Sequence, residues 1–107
     1  MLSDIIKNIR EHAKRNRLNF TDHALKRMNE RKIRDMQVYD CIVFGKYVEQ
    51  QYHGRQIKIV FQPISEGKPV FYVVVANTAT YPLVITVCLT MEEAWDCLES
   101  LLKRKGE

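Results

Sequence analysis

The sequence predicts an α+β fold: N-terminal helices packed on a four-stranded antiparallel sheet, closed by a C-terminal amphipathic helix. Three observations carry that reading. Apolar residues recur at spacings of three and four up to Phe44, then alternate or cluster in short blocks between turn residues, then return to helical spacing near the end. Helices first, consecutive strands next and a helix last is an α+β order, not the βαβ alternation of a parallel sheet.

Each element follows from local pattern. Ser3 can cap a first helix, whose narrow apolar stripe is Ile6, Ile9 and Ala13. "RNRLNF" breaks the period, and Thr21 caps a second helix running to about Arg31. A third occupies "DMQVYDCIVFG", with Met36, Tyr39, Ile42 and Val43 on one side and Gly45 as a left-handed stop. "YVEQQYHGRQIKIVFQPI" reads as two strands around a His53-Gly54 turn, so Val48 faces Ile59 and Glu49 faces Lys58. "SEGKP" is a loop, "VFYVVVAN" a central strand apolar on both faces, and "LVITVCL" the fourth strand. In "TMEEAWDCLESLLKRK", Thr90 and Glu93 make a capping box, and Met91, Ala94, Trp95, Leu98, Leu101 and Leu102 form the helix stripe.

At 107 residues the chain suits one domain, residues 1–107, and its 46% hydrophobic and 28% charged content is that of a soluble globular protein. Its longest apolar run, "VFYVVVA", is far below the roughly 20 residues of a membrane helix. The first residues carry charges where a signal peptide would be apolar, which points to mature, cytoplasmic protein with no membrane partner. Cys41, Cys88 and Cys97 are odd in number and lack CxxC spacing, which argues against a zinc site or a disulfide framework; no metal or cofactor is expected. Charge is unevenly placed. Residues 1–46 hold 11 Lys/Arg against 6 Asp/Glu and residues 47–107 hold 6 against 7, so all the excess is N-terminal. That asymmetry fits either a polyanionic partner such as RNA or a solvated helical face. The sheet face away from the helices is expected to be partly open, as a binding surface or as a homodimer interface.

The stretch "FTDHALKRMNERKI" sets His23, Arg27 and Arg31 four residues apart. On a helical wheel with His23 at zero, Arg27 lies near 40° and Arg31 near 80°, beside Ala24 and Met28 at about 100° and 140°. The ridge therefore borders the apolar stripe, with stems against the core and polar heads in any groove the helix edges. Histidine can serve as acid or base and arginine grips phosphate bidentately, a combination suited to metal-free RNA cleavage through the 2′-hydroxyl. A plain basic helix face is the alternative reading. Lys58, Tyr52 and Arg55 on the hairpin are candidate substrate contacts, although Lys58 could equally pair with Glu49, and Tyr52 could pack at the sheet edge with Val48.

"FTDHALKRMNERKI", then "VVVAN" and "LVITVCL", resembles a bacterial family catalogued as domain of unknown function 4258, over about residues 18–89. The resemblance implies the interferase-toxin (BECR-like) fold of the RelE-type and MqsR-type messenger-RNA interferases. It also implies a toxin-type endoribonuclease of a toxin–antitoxin pair, with a small zinc-finger or DNA-binding antitoxin as partner. Position by position it assigns His23, Arg27, Arg31 and Thr86 to catalysis. Three positions depart from the family's pattern. Cys88 stands where members usually carry tyrosine, Arg34 where they carry a small helix cap, and Lys32 where glycine is common before Ile33. A non-catalytic module binding protein or nucleic acid through the basic half is the alternative expectation.

Overall fold

Among the described residues the three helices fall within the first 44 positions, as the helical spacing predicts, with one short strand between the first two. The computed structural model describes residues 2–91, 94–98 and 100–106, with the backbone alone for His53 and Leu98. Helix α1 spans Leu2–Lys14, α2 Asp22–Arg31 and α3 Asp35–Phe44. The strands are β1 Asn19–Phe20, β2 Lys46–His53, β3 Gln56–Gln62, β4 Phe71–Ala76, β5 Leu83–Leu89, β6 Trp95–Leu98 and β7 Leu101–Arg104. No helix among them is long and apolar enough to cross a membrane.

Among the described residues the main sheet has five strands, not four, in the order β1-β5-β4-β3-β2. The additional strand lies within the stretch "RNRLNF", where the helical period breaks. Asn19 and Phe20 pair parallel with Leu83 and Val84, and a two-residue strand leaves no alternation to detect in a sequence. β4 is central as expected, between β5 and β3, and is buried on both faces except for half-buried Tyr72. One face carries Ile59, Phe61, Phe71, Val73, Val75, Val84 and Val87 against α1–α3, where Ile9, Ala24, Met28, Val38 and Ile42 complete a continuous core.

The C-terminal segment is a β-hairpin rather than a helix, with β6 and β7 paired antiparallel, Trp95 to Arg104 and Cys97 to Leu102. The Glu93 half of the expected capping box lies outside the described residues. The apolar positions fit a helical period, but "WDC" and "LKR" also alternate, and tertiary partners decide between the two. Trp95 and Leu102 are buried, while Asp96 and Lys103 point outward. The hairpin packs on the second sheet face. Tyr72 and Trp95 lie ring to ring at 5.0 Å. The buried Gln62 amide donates to Ser100 O (2.7 Å) and accepts from Leu102 N (2.6 Å). The Arg104 guanidinium lies over the Trp95 ring and meets Glu49 at 2.8 Å.

The β2–β3 turn also differs. Gly54 and Arg55 form the loop, so His53 pairs with Gln56 and Gln51, not Glu49, faces Lys58. Only Gly54 has positive φ there (64°), the pattern of a II′ turn with glycine first. A bulge between Tyr47 and Glu49 shifts the register once more. Gly45 does stop α3, but with φ −76° instead of a left-handed cap. Its glycine is needed for close approach, because a Cβ would collide with the carbonyls of Cys41 and Gln62. The left-handed cap is Lys32, φ 56°, at the end of α2, whose N–H reaches the Asn29 and Met28 carbonyls.

Candidate functional site

Helix α2 is placed by a single residue. The Thr21 hydroxyl accepts from Ala24 N (3.0 Å), capping the helix, and donates to Ile85 O (2.8 Å). Thr21 N donates to Val84 O at 3.0 Å. β5 offers those two successive carbonyls because it bulges at this point: Thr86 pairs with Val74 and Val84 with Val75, leaving Ile85 unpaired. The helix is thus stitched to the outer edge of β5 just where β1 ends.

The ridge divides along its length. His23, in the first turn of α2, is exposed and makes no side-chain hydrogen bond among the described residues. Arg27, half-exposed, bonds Glu30 at 3.1 Å, an i,i+3 surface pair worth a few tenths of a kcal/mol. Arg31 turns the other way. Its Nη1 donates to Val87 O at 2.7 Å, so its guanidinium satisfies a carbonyl of β5 beyond the Leu83–Val84 pairing with β1. Ala24 and Met28 are buried beneath the ridge, as the wheel places them, whereas Leu25 is 49% exposed.

Thr86 lies on the other side of the sheet. It pairs with Val74 on the face that receives the C-terminal hairpin, and its Oγ1 is 3.6 Å from Cys88 Sγ. Tyr72 stands directly across from Cys88. Burial raises the Tyr72 phenol above its ordinary value, and a hydrogen bond with Cys88 adds to this; Trp95 and the Arg104 charge oppose it. Sequence reasoning missed Tyr72 as a polar neighbour of Thr86 because it appears there only as one apolar position of a central strand. Cross-strand register, which the sequence does not display, brings it beside Cys88.

The hairpin candidates stand apart from both groups. Lys58 is half-buried on the Thr86 side of the sheet, two strands away, about 10 Å at sheet spacing. Tyr52 is 62% exposed on β2 and pairs with Ile57, whose side chain packs toward the helices. Arg55 sits in the exposed turn, on neither face. The structure therefore brings His23 and Arg27 together and sets Arg31 at the strand edge. It separates these from Thr86 by the thickness of the sheet. Among the described residues no group of three His, Cys, Asp or Glu side chains is placed to hold a metal ion.

Residues 20–88, from β1 through most of β5, match the family described as Domain of unknown function (DUF4258). Nothing among the curated proteins matches the chain, and nothing among the solved structures does. The matched span holds the whole α2 ridge together with Thr86 and Cys88, and it leaves out α1 and the C-terminal hairpin.

Proposed function

The chain belongs to that family, and we propose that it is a toxin-type, metal-independent endoribonuclease that cleaves messenger RNA at the α2 side of the β5 edge. The observation that supports this reading is His23: an exposed imidazole without a side-chain partner among the described residues, one helical turn from Arg27, on the half of the chain that holds all the excess positive charge. His23 moves the proton at the 2′-hydroxyl or at the leaving 5′-oxygen, and Arg27 exchanges Glu30 for a phosphate oxygen. Arg31, committed to Val87 O, holds α2 against the strand and acts on RNA through that placement. Thr86 meets substrate only where RNA passes around the β5 edge to the other face.

The test is single-stranded RNA incubated with the purified chain in excess chelator. Cleavage is expected, with a loss of about 10²–10⁴-fold in His23→Ala at unchanged thermal stability. Intact RNA, or cleavage that His23→Ala leaves alone, would sink the proposal. In a cell the same reading expects growth arrest, relieved by a small zinc-finger or DNA-binding antitoxin.

One observation favours a second reading, a non-catalytic interaction module. Of the four expected catalytic residues, Arg31 is occupied by a backbone carbonyl and Thr86 lies across the sheet from His23. Under that reading RNA or protein binding survives in His23→Ala and falls when Arg27 and Lys26 are neutralised together.

A further inference from the structure

Two adjoining grooves of about 350 and 340 Å³ lie between α3 and the β3–β4 connection, and both are lined by Gln37, Pro63, Ile64 and Phe71. Three large apolar side chains that line them stand exposed: Phe44 (68%) from α3, and Ile64 (69%) and Val70 (72%) from the connection. Single exposed apolar residues are ordinary, but three of them from two segments beside one trough form a patch of the kind that marks an interface. The C-terminal hairpin packs against Tyr72 and Gln62 instead.

Charge identifies what would cover it. Beyond the residues they share, one groove is lined by Asp40 and Phe44, further along α3 than Gln37, and the other by Arg31 and Lys32, before α3 begins. Asp40 and Lys32 are both exposed. A two-fold axis through the shared middle, near Gln37 and Ile64, would set the basic end of one copy against the acidic end of the other. It would also bring each Ile64 into the opposing trough. A surface that is apolar at its centre and opposite in charge at its two ends is complementary to itself, as an isologous contact requires. An interface of standard size, about 800 Å² per partner, would take roughly an eighth of the 6810 Å² surface.

We propose that the α3 face, centred on Ile64, is a homodimer interface in which Lys32 of each copy meets Asp40 of the other. It does not depend on the ribonuclease reading, since His23 lines neither groove. Sedimentation velocity on the full chain over about 1–100 μM is expected to show a species of twice 12.6 kDa. Ile64→Glu should give monomer with unchanged circular dichroism. Lys32→Asp and Asp40→Lys should each weaken the dimer at least about tenfold, and the two together in one chain should restore it. A wild-type monomer throughout that range overturns the proposal. So does a dimer indifferent to Ile64→Glu, or a double swap no stronger than the single changes.

Discussion

The two faces of the main sheet are closed by different physics. The helix face has an apolar centre: Ile59, Phe61, Val73, Val75, Val84 and Val87 meet three helices in one continuous core. The hairpin face has a smaller apolar patch, Val60, Val74, Trp95 and Leu102, around the fully buried Gln62 and beside the Glu49–Arg104 pair. Burial of apolar area is non-directional and tolerates repacking, whereas an amide bridging two backbone groups works at one geometry only. The helix face therefore supplies the bulk of the stability. The hairpin face fixes one short element in one place.

The largest expected effect breaks that comparison if it is wrong. Phe61→Ala should destabilise the whole domain by about 3–5 kcal/mol, a large share of an ordinary domain stability, in one cooperative urea transition. Trp95→Ala removes a similar volume from the other face, yet its effect should stay local, releasing the hairpin while far-ultraviolet circular dichroism keeps the helical signal. A global, equally cooperative loss in both variants would show that the two faces form one unit. Next in size is Gln62→Leu, which leaves Leu102 N–H and Ser100 O without their partner. About 2 kcal/mol is expected, read as faster hydrogen exchange at the Leu102 amide with the β3–β4 ladder still protected.

The same division explains what the sequence disclosed. Helix α2 with its Thr21 cap, the central strand β4 and the border position of the His23–Arg27–Arg31 ridge all follow from local spacing, because one apolar face decides them. The hairpin face depends on partners distant in sequence. Gln62 reads as one more polar residue until Leu102 and Ser100 close on it, and "AWDCL" fits a helix until Trp95 meets Tyr72. The ridge was legible as a ridge. That Arg31 would face a strand carbonyl and Thr86 the opposite side was not, since both depend on the β5 bulge at Ile85.

Thr21 tests that seam. Thr21→Val keeps the volume and removes the hydroxyl that caps α2 and holds Ile85 O, for a loss of about 1–2 kcal/mol, whereas Thr21→Ser should recover most of it. A larger loss in Thr21→Ser than in Thr21→Val would mean that the methyl, not the two hydrogen bonds, holds the helix to β5. Chemical denaturation of the three proteins side by side decides it.

The smallest expected effect concerns water. Cys41 is buried under α3 on the helix face, and burial raises its thiol well above the ordinary value of 9.0, against a smaller opposing influence of Arg10. Cys88 and Cys97 are only half-buried. In the unfolded chain the Cys41 thiol ionises near pH 9, and in the folded chain it keeps its proton. Above pH 9 the unfolded state therefore binds fewer protons than the native state, and stability falls as pH rises. The contribution is fully present below pH 9 and should diminish by about 1.4 kcal/mol by pH 10. Cys41→Ala should start lower because it leaves a small cavity, but it should lack this part of the slope. Measurements belong between pH 8 and 10. The raised phenols of Tyr47 and Tyr72, whose own loss sets in as pH nears their ordinary value of 10.0, add a part that Cys41→Ala keeps, so the comparison of the two proteins isolates the thiol. Thiol-reagent kinetics at pH 8 supply the matching comparison, with Cys88 and Cys97 modified while the protein is folded and Cys41 only on unfolding. A Cys41 that reacts as fast as the other two, or a slope unchanged in Cys41→Ala, would mean that water reaches the helix face as readily as the hairpin face.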